Sequence, residues 1–126
     1  MNKEPEVIKF LKRPDLQETI FVKPSKYQVE FEIRKIPALR EAYLRKAATN
    51  KGKYDENKYI DLMMVESIVQ PDLKNAQMQT EFGVITEIDL LKSVLSLGEY
   101  YKLLEQINNY NDLSKTDTDL IEEAKN

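Results

Sequence analysis

The period of apolar positions changes three times along this chain. Residues 4–11 suit a short amphipathic helix with Pro5 in its first turn, ended by Arg13-Pro14, since a proline disfavours helical geometry at the residue before it. Tyr27, Val29, Phe31 and Ile33 then alternate with Gln28, Glu30, Glu32 and Arg34, the period-2 pattern of a strand with one apolar face. Residues 19–23 are rich in β-formers and Pro24-Ser25-Lys26 is turn-like, so the two runs predict a β-hairpin. A lone hairpin is marginal in water, and helices or another chain must cover its apolar face.

Helical spacing takes over after the hairpin. Pro37 suits the first position of a helix reaching about Thr49, with Leu39, Tyr43 and Ala47 on one side, and residues 50–53 read as a loop. Asp55 is a candidate N-cap for a helix through Val69, in which Tyr59, Ile60, Leu62, Met63, Met64, Val65, Ile68 and Val69 spread around nearly the whole circumference. So broadly apolar a helix belongs at the centre of a core, with its paired methionines as filler, and Gln70-Pro71 ends it. Thr86 with Asp89 approximates a capping box, with Ile85 and Leu90 at the staple positions; Ser96 with Glu99 is a full box, stapled by Leu95 and Tyr100. The last helix reaches about Tyr110 and places Tyr100, Leu103, Leu104 and Ile107 on one stripe with Tyr101 beside it.

From Asp112 onward the sequence is polar and acidic. Leu120, Ile121 and Ala124 offer one faint helical turn, too little apolar surface to order the segment alone. The expected organisation is a single mainly α-helical, α+β domain over residues 1–111, with an N-terminal β-hairpin packed on about four helices. Residues 112–126 are expected to form a flexible acidic tail, or a segment that folds on binding.

Composition narrows the chemistry. At 126 residues the chain fits one core. It has no His and no Cys, so it lacks the side chain that titrates near neutrality, the commonest thiol nucleophile and the usual zinc ligands. Carboxylates, Ser and Lys remain, but sites built from them usually sit on larger scaffolds, so the chain is expected to be no enzyme and to need no cofactor or metal. No apolar run approaches the ~20 residues needed to cross a bilayer, and the start has no apolar signal-peptide core, which predicts a soluble, cytoplasmic protein without a membrane partner.

The net charge of −3 hides an asymmetry: residues 1–54 carry 13 Lys or Arg against 7 Asp or Glu, net +6, while residues 55–126 carry 6 against 15, net −9. Such halves pair internally, pair between copies in self-association, or are offered to a partner. Arg34, Lys35, Arg40, Arg45, Lys46, Lys51 and Lys53 would attract phosphate, but no stacking platform or nucleic-acid motif accompanies them, and a charged face balancing the acidic half is the favoured reading. Asp55, Glu56 and Asp61 suggest a metal less than an electrostatically favourable helix start, and Pro71-Asp72-Leu73 reads as a turn joining helices.

A longer signature carries a resemblance. The run Glu66-Ser-Ile-Val-Gln-Pro-Asp-Leu-Lys-Asn-Ala-Gln-Met-Gln-Thr-Glu-Phe-Gly-Val84, followed by Leu97-Gly-Glu-Tyr100, resembles the XkdN-like phage tail assembly chaperones. Phe10-Leu11-Lys12 and the segment from Tyr27 to Ile36 are weaker matches that extend the likeness up to about Asn111. In the family the position of Leu97 is typically Pro, so here the Ser96 cap stands in for it, and Asn108-Asn-Tyr-Asn111 stands near where a Gly is usual.

The resemblance implies a chaperone that binds the tape measure protein, a very long helical protein with much exposed apolar surface, and keeps it soluble until tail-tube proteins polymerise around it. Tube subunits are a further implied partner. The expected client surface is Tyr100, Tyr101, Leu103, Leu104 and Ile107 with Leu120 and Ile121 of the tail, and a core role for the helical stripe competes with it. A virion structural or adaptor protein of the tail, and a nucleic-acid-binding regulator using residues 34–53, are the alternatives.

Overall fold

A computed structural model describes residues 6–12 and 14–113; the beginning of the predicted first helix, Arg13 and the segment holding Leu120 and Ile121 lie outside them. A short helix α1 (Glu6–Leu11) and a 3-10 turn (Pro14–Gln17) lead into strand β1 (Thr19–Val22), which pairs antiparallel with β2 (Phe31–Arg34). The fold is α+β, as the periodicities predict, with the hairpin placed against a helical body.

The hairpin departs from its predicted form. The alternation suggests a strand beginning at Tyr27, yet residues 23–30 form a loop, Tyr27 is 83% exposed and Val29 is exposed as well. The loop is pulled off the sheet by polar anchors: the Ser25 hydroxyl donates to Glu99, and the Gln28 amide donates to the Val94 carbonyl at 2.7 Å. Only the later half of the alternating run is strand, and there Phe31 and Ile33 point together into the core.

Helix α2 (Ala38–Ala47) follows, with Pro37 as its N-cap in extended geometry rather than as its first helical residue. The side bearing Leu39, Tyr43 and Ala47 faces solvent; Leu44 and Ala48, four residues apart, hold the helix to the body. Residues 50–53, expected as a loop, close a second small hairpin of β3 (Thr49–Asn50) and β4 (Lys53–Tyr54). Lys51 and Gly52 at its tip both have positive φ, 53° and 78°, the combination of a type I′ turn, which a glycine in second place favours.

Helix α3 (Glu56–Ser67) begins at Asp55, whose carboxylate accepts the Lys58 N–H at 3.1 Å as predicted. It ends two residues before Val69. Ile68 and Val69 are β-branched and the following Pro71 disfavours helix at Gln70, so the chain extends into β5 (Ile68–Gln70). β5 pairs antiparallel with β2 across a register shift between Glu32 and Ile33, giving a three-stranded sheet in the order β1-β2-β5. Pro71-Asp72-Leu73 is a turn, with a cis bond at Gln70-Pro71; Asp72 accepts the Lys74 N–H at 3.0 Å and Leu73 is buried.

Helix α4 (Ala76–Glu81) is capped by Asn75 and closed by Gly83 at φ 68°. Helix α5 (Glu87–Val94) starts at Thr86, which accepts the Asp89 N–H at 3.1 Å, but the expected staple is not made: Ile85 is 89% exposed while Leu90 is fully buried. The neighbouring Val84, and not Ile85, is partly buried against the core. Helix α6 (Leu97–Tyr110) carries the complete Ser96–Glu99 capping box.

Phe31, Ile33, Met64, Leu90, Leu91, Leu103 and Ile107 are the centre of the core, so α3, α5 and α6 meet the inner face of the sheet there. Long polar contacts bolt the hairpin down: Gln106 donates to the Lys23 carbonyl at 2.9 Å, and the Asn111 side chain accepts the Ile36 N–H at 2.9 Å.

Candidate functional site: a groove between α3, α5 and α6

Two turns of α3, the end of α5 and the first two turns of α6 enclose a groove of about 530 Å³. Ile60, Leu95, Leu97, Tyr100, Tyr101 and Leu104 supply its apolar lining, while Asp61 and Lys92 supply its charges. Leu97 is 73% exposed and Tyr101 59%, an apolar lip at the start of α6 beside buried Leu95. The rings of Tyr100 and Tyr101 meet edge-on, 5.7 Å between centroids.

One carboxylate fixes the floor. Asp61 accepts the Tyr100 hydroxyl at 2.7 Å and the Lys92 ammonium at 2.8 Å, joining α3, α6 and α5, and the Lys92 ammonium lies 5.9 Å from the Tyr100 ring centre. Burial pushes the Tyr100 pKa well above the ordinary tyrosine value, and the bond to Asp61 adds to the shift because an anion there would face another anion. With Tyr100 protonated and Asp61 paired with Lys92, the floor is a satisfied polar network under an apolar lip. Such a surface is suited to an apolar contact, and no nucleophile is poised beside a base in its lining.

The predicted partner-binding residues divide along α6. Tyr100 and Leu104 line the groove and Tyr101 stands at its edge, but Leu103 and Ile107 are fully buried among Phe31, Met64 and Leu90. Those two therefore anchor α6 to its own core and offer no free surface. The helical stripe is a core stripe with a groove-facing flank, as its period allows for residues at both edges. Nothing in the sequence marks Ile60, Asp61, Lys92 and Leu97 as one binding surface. Only Leu97 leaves a local sign, an apolar residue at the first turn of a helix where a polar one is usual.

A second groove of about 560 Å³ lies on the other side of Ile60 and Leu104, walled by α2, α3 and the end of α6. Tyr59 there donates to Glu41 at 2.7 Å and is held protonated far above its ordinary range, mainly by burial and then by that bond; Arg45 binds Glu41 and sits 4.5 Å from the Tyr59 ring centre.

The arginines of the basic segment are paired at the surface. Glu66 receives Arg40 and lies 3.8 Å from Arg34, whose Nε also donates to the Glu66 carbonyl at 2.8 Å. The charged halves of the chain thus meet at α3, while Arg34, Arg40, Arg45, Lys46, Lys51 and Lys53 are all exposed. Asp55 serves as a helix cap while Asp61 faces Lys92 and Tyr100, and among the described residues no cluster of three or more Asp or Glu is placed to hold a metal. Nor is any described helix long and apolar enough to cross a membrane.

The sequence pattern of the phage XkdN-like tail assembly chaperone proteins matches residues 7–125, nearly the whole chain. The chain belongs to this family. Comparison with curated proteins finds no match. Among solved structures, the crystal structure of the protein YqbN superposes with a TM-score of 0.67 at 24% sequence identity, over 75% of this chain and 85% of that one. The likeness shows a shared fold. In this XkdN-like chain the groove at the start of α6 is built around Leu97-Gly-Glu-Tyr100, part of the segment that suggested the family.

Proposed function

We propose that the chain is a client-binding chaperone of the bacterial cytoplasm that holds the tape measure protein soluble until tail-tube subunits polymerise around it. Membership of the tail assembly chaperone family supports the general role, and an apolar-lipped groove between α3, α5 and α6 is the feature that favours the specific one. A helix laid in it would cover Leu97, Tyr101 and Leu104, with Tyr100 at the floor. That is a contact of the helix-in-groove kind, in which an apolar stripe is hidden reversibly.

A groove of this size gives a modest single contact, and a long client with repeated apolar stripes converts many such contacts into avidity. The three glycines of this sequence, Gly52, Gly83 and Gly98, are too scattered to form a phosphate-binding loop. Release is accordingly assigned to competition from tube subunits and not to nucleotide hydrolysis.

The test is a pull-down of this chain from cells expressing the complete set of tail genes. Recovery of the tape measure protein, with the chain absent from finished tails, is the expected result. Retention of the chain in purified tails would make it a structural component, and salt-sensitive recovery of DNA would move the function to the basic segment.

A further inference from the structure

We infer that the chain associates with copies of itself head to tail, the outer face of α2 in one copy taking the corner between α4 and α5 of the next. Helix α2 turns Leu44 and Ala48 inward and leaves the opposite side uncovered, with Leu39 69% and Tyr43 56% exposed. Leu39, Tyr43 and Lys46 follow one another at spacings of four and three, so they form a single stripe and not scattered exposures. At the corner, Phe82 is 50% exposed and Ile85 almost wholly so, while Val84 between them packs on the core. Leu39, Tyr43 and Ile85 are apolar residues that the sequence pattern assigns to helix contacts, yet nothing in their own chain covers them.

Charge selects the partner surface. Residues 38–54 carry five Lys or Arg against one Glu, whereas residues 75–91 carry Glu81, Glu87 and Asp89 and no Lys or Arg. Among the described residues, Lys46 and these three acids are in no ion pair. Glu87 and Asp89 suit the first turn of α5, but Glu81 ends α4, where a negative charge is unfavourable to the helix itself. Placing α2 on α2 would oppose Lys46 and Arg40 to their own copies, and corner on corner would oppose the acids. Of the three pairings, α2 on the corner alone joins apolar side chains with opposite charges around them.

A contact between two different patches repeats from copy to copy, closing a ring or running on as a filament. Patches this small make it weak, so the association depends on concentration. Neither patch supplies a lining residue to the groove between α3, α5 and α6, and the inference is independent of any client.

Sedimentation velocity over a concentration series tests it, with Leu39→Ser and Tyr43→Ser together as the α2 variant, and Phe82→Ser and Ile85→Ser together as the corner variant. The natural chain should grow in mass with concentration, and should do so more strongly at ~0.05 M than at ~0.5 M salt, because exposed charges are least screened at low salt. Each variant should associate about tenfold more weakly, or less still, the usual effect of removing central apolar anchors. An equimolar mixture of the two variants should form a dimer of one each, because each retains the patch that the other lacks. Unchanged urea midpoints check that both variants fold, and Ile85→Lys alone tests the corner should Phe82→Ser unfold it. A mixture that stays monomeric while the natural chain associates would mean contacts of like on like, and a natural chain monomeric at every concentration would leave both faces to a different protein. Either result, or a variant that associates as well as the natural chain, overturns the inference.

Discussion

The hydroxyl of Tyr100 donates to Asp61 at 2.7 Å and makes α6 answer to α3 at the floor of the groove. Lys92 completes the cluster from α5, so one carboxylate registers three helices. Tyr100→Phe keeps the ring and removes the bond, and should lower stability by ~1 kcal/mol, the usual net worth of such a hydrogen bond. Lys92→Ala should cost less, because that ammonium is half exposed and its ion pair is screened. Urea midpoints at unchanged m would check the order, and a larger loss for Lys92→Ala would show that the pair, not the tyrosine, holds the floor.

Titration should single out Tyr59 and Tyr100. Tyr59 and Tyr100 keep their protons in the folded chain at pH values where an unfolded tyrosine, with a pKa of ~10, has lost its own. Their contribution to stability is complete below that unfolded value and is lost as pH rises through the folded ones, so the chain should weaken on the alkaline side above ~pH 10. Absorbance at the tyrosinate band should show two groups ionising late, together with unfolding. If every tyrosine titrates together near the ordinary value in the folded chain, both hydroxyls are solvated.

Glu99 makes the opposite prediction. The Ser25 hydroxyl, followed by the Ser96 N–H, holds its pKa below the ordinary carboxylate value. The stability it contributes is complete above the unfolded carboxylate pKa and lost as pH falls through the lower folded value. Ser96→Ala should cost ~1 kcal/mol through the lost cap. Glu99→Ala should cost more, because Glu99 also receives Ser25 and Gln28 from the hairpin loop. Acid melts of the three proteins would test this, with Glu99→Ala losing the acid-side slope; equal costs for the two substitutions would mean that the loop contacts contribute nothing.

Glu99 also marks where the sequence stops being legible. Its role in the capping box follows from four consecutive residues, as do the caps at Asp55 and Thr86, because a cap is a local bond between near neighbours. Its bonds to Ser25 and Gln28 span more than seventy residues and leave no periodic trace, yet they turn the first half of an alternating run from strand into loop. β5 was hidden for a similar reason. Ile68 and Val69 fit the last turn of an apolar helix, and only pairing with β2 decides that they extend.

The groove was half legible. Tyr100, Tyr101 and Leu104 follow from the stripe on α6, but that stripe cannot tell which flank faces the core. Asp61, Lys92 and Ile60 enter only through packing.

Two substitutions on α6 should behave oppositely. Leu103→Ala removes a fully buried side chain and should cost ~2–5 kcal/mol through lost burial and a residual cavity. Tyr101→Ala, on the exposed lip, should change stability by about 0.5 kcal/mol or less while weakening client capture. Thermal melts paired with client pull-downs distinguish them, and a large stability loss for Tyr101→Ala would place that ring in the core.

The most direct measurement is the soluble yield of the tape measure protein on co-expression with this chain, with the Leu97→Asp and Tyr101→Gln double variant, and with neither. Both substitutions lie on the exposed lip, and Asp at the start of a helix is electrostatically favourable, so the variant should fold with an unchanged urea midpoint. The natural chain should raise the soluble yield and the variant should not. A client equally insoluble with and without the natural chain would contradict the chaperone function, and equal rescue by the variant would contradict the groove as its site.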